Sequence, residues 1–146
     1  MNHLTRVFFV LLVLVGVYWL WQDAEEPVEA PSTEFVSEGG VILRVTSPLK
    51  EALVISPLML TGEAPGTWYF EASFPIVLVD WDGRIIAQGH AEAQADWMTE
   101  ILVPFVATLE FTKPDYGTTG ALILQRDNPS GLPENDDAVE VPIRFE

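Results

Sequence analysis

Residues 74–87 read FPIVLVDWDGRIIA, two β-rich apolar runs on either side of Trp81-Asp82-Gly83. An Asp-Gly pair tolerates the positive φ of a tight reversal, so the two runs are predicted to be neighbouring antiparallel strands. The same texture extends in both directions. Short runs with period-two alternation, separated by Gly, Pro, Asn and Asp clusters, give strand candidates at 41–46, 53–61, 68–79, 84–88, 101–111, 121–126 and 139–145. No stretch after residue 40 has the spacing of an uninterrupted helix. Pro48, Pro57, Pro75, Pro104 and Pro142 fall beside or within these runs, where a missing amide is tolerated at edges, bulges and strand starts.

Strands at frequent intervals with no helical connections predict an all-β domain, an immunoglobulin-like antiparallel β-sandwich of about seven strands. The Cys pair and packing Trp of antibody domains are absent, so that likeness is one of architecture. Along 68–79, alternation puts Phe70 and Phe74 on one face, expected to be buried, and Tyr69 and Glu71 on the other. Trp81 stands at the hairpin tip. Exposed aromatic rings stack on ligands and anchor interfaces, so Tyr69, Glu71 and Trp81 form the candidate binding surface, while Trp97 is assigned to the core.

The chain opens differently. Residues 7–21 (VFFVLLVLVGVYWLW) are apolar throughout, with Arg6 ahead and Asp23, Glu25, Glu26 and Glu29 behind. Positive charge is retained on the cytoplasmic side, so the segment predicts a signal anchor at 1–21, with the N-terminus cytoplasmic and the rest extracytoplasmic. As helix it spans about 22 Å at ~1.5 Å per residue, short of the roughly 30 Å hydrocarbon core; counting from Leu4 lengthens it. Tyr18, Trp19 and Trp21 cluster at the outer end, where amphipathic rings prefer the headgroups. Gln22-Asp23-Ala24 places Gln where a signal peptidase site needs a small residue, which favours a permanent single-pass anchor in the cell membrane over secretion after cleavage. Residues 22–40 hold two prolines and six acids, the composition of a flexible spacer. The folded domain is then 41–146.

Composition excludes several functions. The chain carries 22 acidic and 7 basic residues, a formal charge of −15, which repels nucleic-acid phosphates. It has no cysteine, which rules out disulfides, thiolate zinc and thiol nucleophiles and suits a bacterial cell envelope. The two histidines are His3 and His90, too few for a hydrolytic triad outside the membrane. Lys50 and Lys113 sit in loops, with no strand-to-helix turn to hold a serine nucleophile. Asp80 and Asp82, with Glu71 on the preceding run, are the carboxylates that a hydrolase reading would use, but Asp82-Gly83 forms the turn. No cofactor is expected. Calcium is the alternative, because the loop with Asp127, Asn128, Glu134, Asp136 and Asp137 is rich in oxygen ligands. That loop lacks the Asp-x-Asp-x-Asp-Gly order of an EF-hand and also suits a solvated turn.

The succession Val45-Thr-Ser-Pro48, Ile55-Ser-Pro-Leu-Met-Leu-Thr-Gly-Glu-Ala64, Phe70-Glu-Ala72, Val79-Asp-Trp-Asp-Gly83, Asp96-Trp97, Pro104-Phe105 and Leu109-Glu-Phe111 resembles the Gmad2 family, the immunoglobulin-like domain of bacterial spore-germination proteins. Leu122-Ile-Leu124, Asn128-Pro-Ser-Gly131 and Val141-Pro-Ile143 extend the likeness over roughly 41–145. The resemblance implies an extracytoplasmic β-sandwich on a membrane-anchored chain. In germination proteins the domain accompanies a second module, which has no counterpart in these residues. The sequence thus predicts a membrane-tethered, non-enzymatic interaction module whose partner is an envelope protein or glycan. An envelope hydrolase using surface carboxylates and a structural spacer domain are the alternatives.

Overall fold

In the computed structural model, which describes Asn2 and residues 30–146, the 74–87 stretch forms the predicted reversal. The Gly83 amide donates to the Asp80 carbonyl at 3.0 Å, with Gly83 at φ +77°. Asp80 Oδ1 accepts the amides of Asp82 and Arg84, each at 2.9 Å, so this carboxylate is committed to building the turn. Nine strands result: β1 (Thr33–Val36), β2 (Ile42–Ser47), β3 (Leu53–Val54), β4 (Leu58–Pro65), β5 (Ser73–Asp80), β6 (Ile85–Ala93), β7 (Leu102–Leu109), β8 (Thr119–Gln125) and β9 (Ala138–Phe145). Single 3₁₀ turns occupy Gly66–Trp68 and Pro133–Asn135.

The strands form one curled sheet in the order β1-β2-β4-β7-β6-β5-β8-β9-β3, antiparallel except where β3 pairs with β9. β6 meets β7 only through Glu92 opposite Val106 and Ala93 opposite Phe105. The sheet folds over at that corner, so that β1-β2-β4-β7 and β6-β5-β8-β9-β3 enclose a single core, consistent with an immunoglobulin-like sandwich. Strict alternation delivers the side chains. Phe74, Ile76 and Leu78 are buried on β5 while Pro75, Val77 and Val79 remain half-buried on its outer face. At the centre, the Phe74 ring lies 5.1 Å from both Tyr69 and Phe105 and 6.1 Å from Trp68, all edge-on, the arrangement that the ring quadrupole favours.

Three features differ from the sequence reading of about seven strands. The run 53–61 is divided at the cis Ser56-Pro57 bond. Pro57 offers no ladder amide, and the pieces on either side join opposite halves, β3 with β9 and β4 with β2 and β7. Within the stretch assigned to the spacer, Thr33–Val36 is a strand: it pairs with β2, Phe35 packs against the core and Glu34 bonds Arg44 at 2.9 Å. The surrounding acids and prolines mask that two-residue apolar signal. Finally, the run 68–79 begins as strand only at Ser73. Glu71 and Ala72 have φ of 49° and 64°, and Phe70 and Ser73 exchange backbone hydrogen bonds across them. This turn breaks the alternation, so Tyr69 is buried and Phe70 exposed, the reverse of the expectation.

Pro31–Glu146 forms one compact unit. The anchor assigned to 1–21, Asn2 apart, and residues 22–29 of the spacer lie outside the described residues; among those described, no helix is long and apolar enough to cross a membrane.

Candidate binding surface

The outer face of β5 and β8 carries an apolar strip, Pro75, Val77 and Val79 beside Ala121 and Ile123, at positions where a solvated sheet ordinarily alternates to polar residues. Two hollows lie along it. One, of about 670 Å³, is lined by Phe35, Val36, Pro75 and Ile123 and by four acids, Glu38, Asp136, Asp137 and Glu140, against one cation, Arg126. The other, of about 400 Å³, is lined by Val79, Trp81, Ala121 and Ile123 and again by Glu140. Ile123 and Glu140 belong to both, so the hollows adjoin. A third, also about 400 Å³, lies on the other side of the hairpin tip between Trp81, Ile85 and Ile86 and the segment Lys113, Pro114 and Tyr116.

Trp81 therefore borders two hollows, and its side chain is 60 % exposed. Its position is nevertheless fixed from behind. Gly117, at φ +77°, has no side chain where a Cβ would collide with the Trp81 indole, so ring and backbone lie in direct contact. Tyr116 and Ile85 are exposed beside it. An indole held by backbone loses little conformational freedom on binding, which makes it an efficient anchor. The acidic margin favours cationic groups on a ligand and disfavours phosphates.

The other predicted site residues lie elsewhere. Tyr69 is buried, and its hydroxyl donates to the Val103 carbonyl at 2.7 Å. Burial pushes its phenol well above the usual range; a backbone hydrogen bond at Ala64 opposes that shift and the Glu63 charge adds to it. Tyr69 and Glu71 precede the first residue of β5 and Trp81 follows its last. An eight-residue strand separates them, about 26 Å at ~3.3 Å per residue, so they do not form one surface with Trp81. His90 lies on β6 opposite Pro75.

In the candidate calcium loop the side-chain oxygens of Asn128, Asp136 and Asp137 are engaged by the chain's own donors. Asn128 Nδ2 donates to Asp136 Oδ1 at 2.7 Å and to the Leu132 carbonyl at 2.8 Å, and Ser130 donates to Asn128 Oδ1. Asp137 accepts the Ser37 hydroxyl at 2.6 Å, the Gly39 amide at 3.2 Å and the Ala138 amide at 3.0 Å. Asp127 gives its amide to the Trp68 carbonyl, and Glu134 lies in the Pro133–Asn135 turn. Among the described residues no three His, Cys, Asp or Glu side chains converge as a cation site. Asp137 instead clasps the β1–β2 turn to the start of β9. Sequence reasoning missed this clasp, as well as Tyr116 and Ile85 beside Trp81; Tyr116 in Pro114-Asp-Tyr-Gly117 carried the signal, an aromatic residue in a turn.

Fold and surface together define an all-β domain with an outward apolar face, of a kind suited to binding. The family model Gmad2, the immunoglobulin-like domain of bacterial spore germination, matches residues 42–131, and the chain belongs to that family. Membership suggests a non-catalytic interaction module. No curated protein and no solved structure matches. The matched span stops before β9, which nevertheless pairs with β8 along the whole length of β8.

Proposed function

We propose that the chain is a non-enzymatic interaction module of the bacterial cell envelope, tethered to the membrane by residues 1–21, that binds an envelope protein through the hairpin tip and the outer face of β5 and β8. The observation that carries this reading is Trp81, exposed yet seated on the Gly117 backbone between two hollows. A ligand segment that combines apolar side chains with basic ones matches the apolar floor and the margin of Glu38, Asp136 and Glu140. Binding makes and breaks no covalent bond. The uninterrupted apolar run 7–21 supports the tether, and the Gmad2 match supports the module.

Crosslinked co-purification from intact cells tests this. Trp81→Ala should weaken capture of the principal partner by roughly 30-fold, as expected for an anchor whose truncation costs about 2 kcal/mol. Its thermal midpoint should stay near wild type, because exposed substitutions typically shift stability within about 0.5 kcal/mol. Unchanged capture with the same partner would sink the proposal.

A further inference from the structure

Strands β2, β5, β7 and β9 finish at one end of the sandwich, and β4, β6 and β8 start there. Residues 48–57, 81–84 and 110–118 cover this end. They are joined: the Phe111 amide donates to Ser56 Oγ at 2.9 Å, the Phe145 amide donates to the Thr118 carbonyl at 2.8 Å, and Gly117 lies against Trp81. Leu49, Leu53, Ile55, Trp81, Ile85 and Tyr116 are exposed here, two of them rings with a polar edge, the kind that settle among lipid headgroups. The opposite end also exposes apolar side chains, Met98 and Ile101 between β6 and β7. Charge separates the two ends. Residues 48–57, 80–84, 110–118 and 144–146 hold four of the six bases in 31–146, Lys50, Arg84, Lys113 and Arg144, against six acids, whereas the remainder holds two bases against twelve acids. An anionic bilayer therefore repels the rest of the domain far more than this end.

The chain also enters at this end. β1 runs antiparallel to β2 with Thr33 opposite Val45, so the residues before Thr33 arrive from the side of Ser47 and the 48–57 segment. Eleven residues, 22–32, separate β1 from the proposed tether, a reach of at most about 37 Å at ~3.4 Å each. To lay the opposite end on the bilayer, the chain would first have to run back along strands of eight residues, about 26 Å at ~3.3 Å per residue, which consumes most of that reach. We propose, resting on that tether, that this end of the domain docks on the surface of the bilayer, with Leu53, Ile55 and Tyr116 seated among the headgroups and Lys50 and Lys113 beside lipid phosphates. The outer face of β5 and β8 then stands up from the membrane with Trp81 at its foot, so a partner reaches it alongside the bilayer.

The full chain in lipid vesicles tests this, and the absence of native cysteine allows a single environment-sensitive fluorophore at Ile55→Cys, at Tyr116→Cys or, on the opposite end, at Met98→Cys. The labels at positions 55 and 116 should shift to shorter wavelength and be quenched by spin-labelled lipid, while the label at 98 is quenched only by aqueous iodide. On anionic phosphatidylglycerol vesicles, Lys50→Gln with Lys113→Gln should lower the ratio of immersed to exposed label at 55 about 25-fold, at about fivefold per Lys near the surface, and should leave it unchanged on phosphatidylcholine. Lipid quenching at 55 and 116 no stronger than at 98 would overturn the docking. So would a label at 55 that responds only to added envelope extract, which would mark a protein contact instead. A chain that fails to float with the vesicles removes the tether and the docking together, whereas one that floats with its labels in water removes the docking alone. Melting curves matching wild type establish that each variant folds.

Discussion

Tyr69 shows how one residue's environment can reverse its assignment. Its place in an alternating run put it on the surface, but the positive-φ pair Glu71-Ala72 re-aims the chain and sends the ring inward against Phe74. Nothing in the one-dimensional pattern marks Glu-Ala as a left-handed turn, because neither residue is typical of one. Trp81 was legible because Asp82-Gly83 names its own turn. The burial of Tyr69 has a consequence for alkaline stability. Its phenol pKa is raised in the folded protein, so the unfolded chain releases this proton first, and the associated stability is intact below about pH 10 and lost as pH rises beyond it. Urea midpoints measured from pH 8 to 11 should fall at the alkaline end. Tyr69→Phe should lose about 1–2 kcal/mol at neutral pH, by orphaning the Val103 carbonyl, yet show a shallower alkaline decline. An unchanged slope would remove Tyr69 as its source.

Most elements were legible from alternation: the β5–β6 hairpin, β2, β7, β8 and β9 lie close to their predicted runs. β1 escaped detection and β3 was not separated from β4, because both are short strands whose existence depends on a distant partner. β3 is two residues long and exists because Arg144 and Phe145 pair beside it, and β1 exists because β2 offers an edge and the core a place for Phe35. The binding surface was only half legible for the same reason. Trp81 belongs to a local turn, whereas its neighbours Tyr116 and Gly117 arrive from a loop more than thirty residues away. β1 also lies wholly outside the span matched by the family model. A chain starting at residue 41 should therefore unfold more readily than one starting at residue 30, by on the order of 3 kcal/mol for a half-buried Phe, a short ladder and the Ser37 clasp. Coincident denaturation curves for the two would show β1 to be dispensable.

For the molecule as a whole, closure depends on a long-range polar contact. The curled sheet brings β1 beside the start of β9, and Asp137 ties them through Ser37 and Gly39, almost a hundred residues earlier in sequence. Asp137→Ala leaves both donors without that acceptor and should cost about 1–2 kcal/mol in urea unfolding, whereas Asp127→Ala, which keeps its backbone bond to Trp68, should cost little. Equal losses would argue against the clasp. The same arrangement sets how the domain bears force. A pull arriving along the chain before Thr33 meets Val45 first, then Arg44, Leu43 and Ile42 in turn, and reaches the Ser37–Asp137 tie only after all four pairs have parted. β1 thus behaves as a resettable fuse. Under load it would release about 14 Å of slack, four residues at ~3.4 Å each, while the strands behind it hold, seen in single-molecule stretching as a small reversible step before the main rupture.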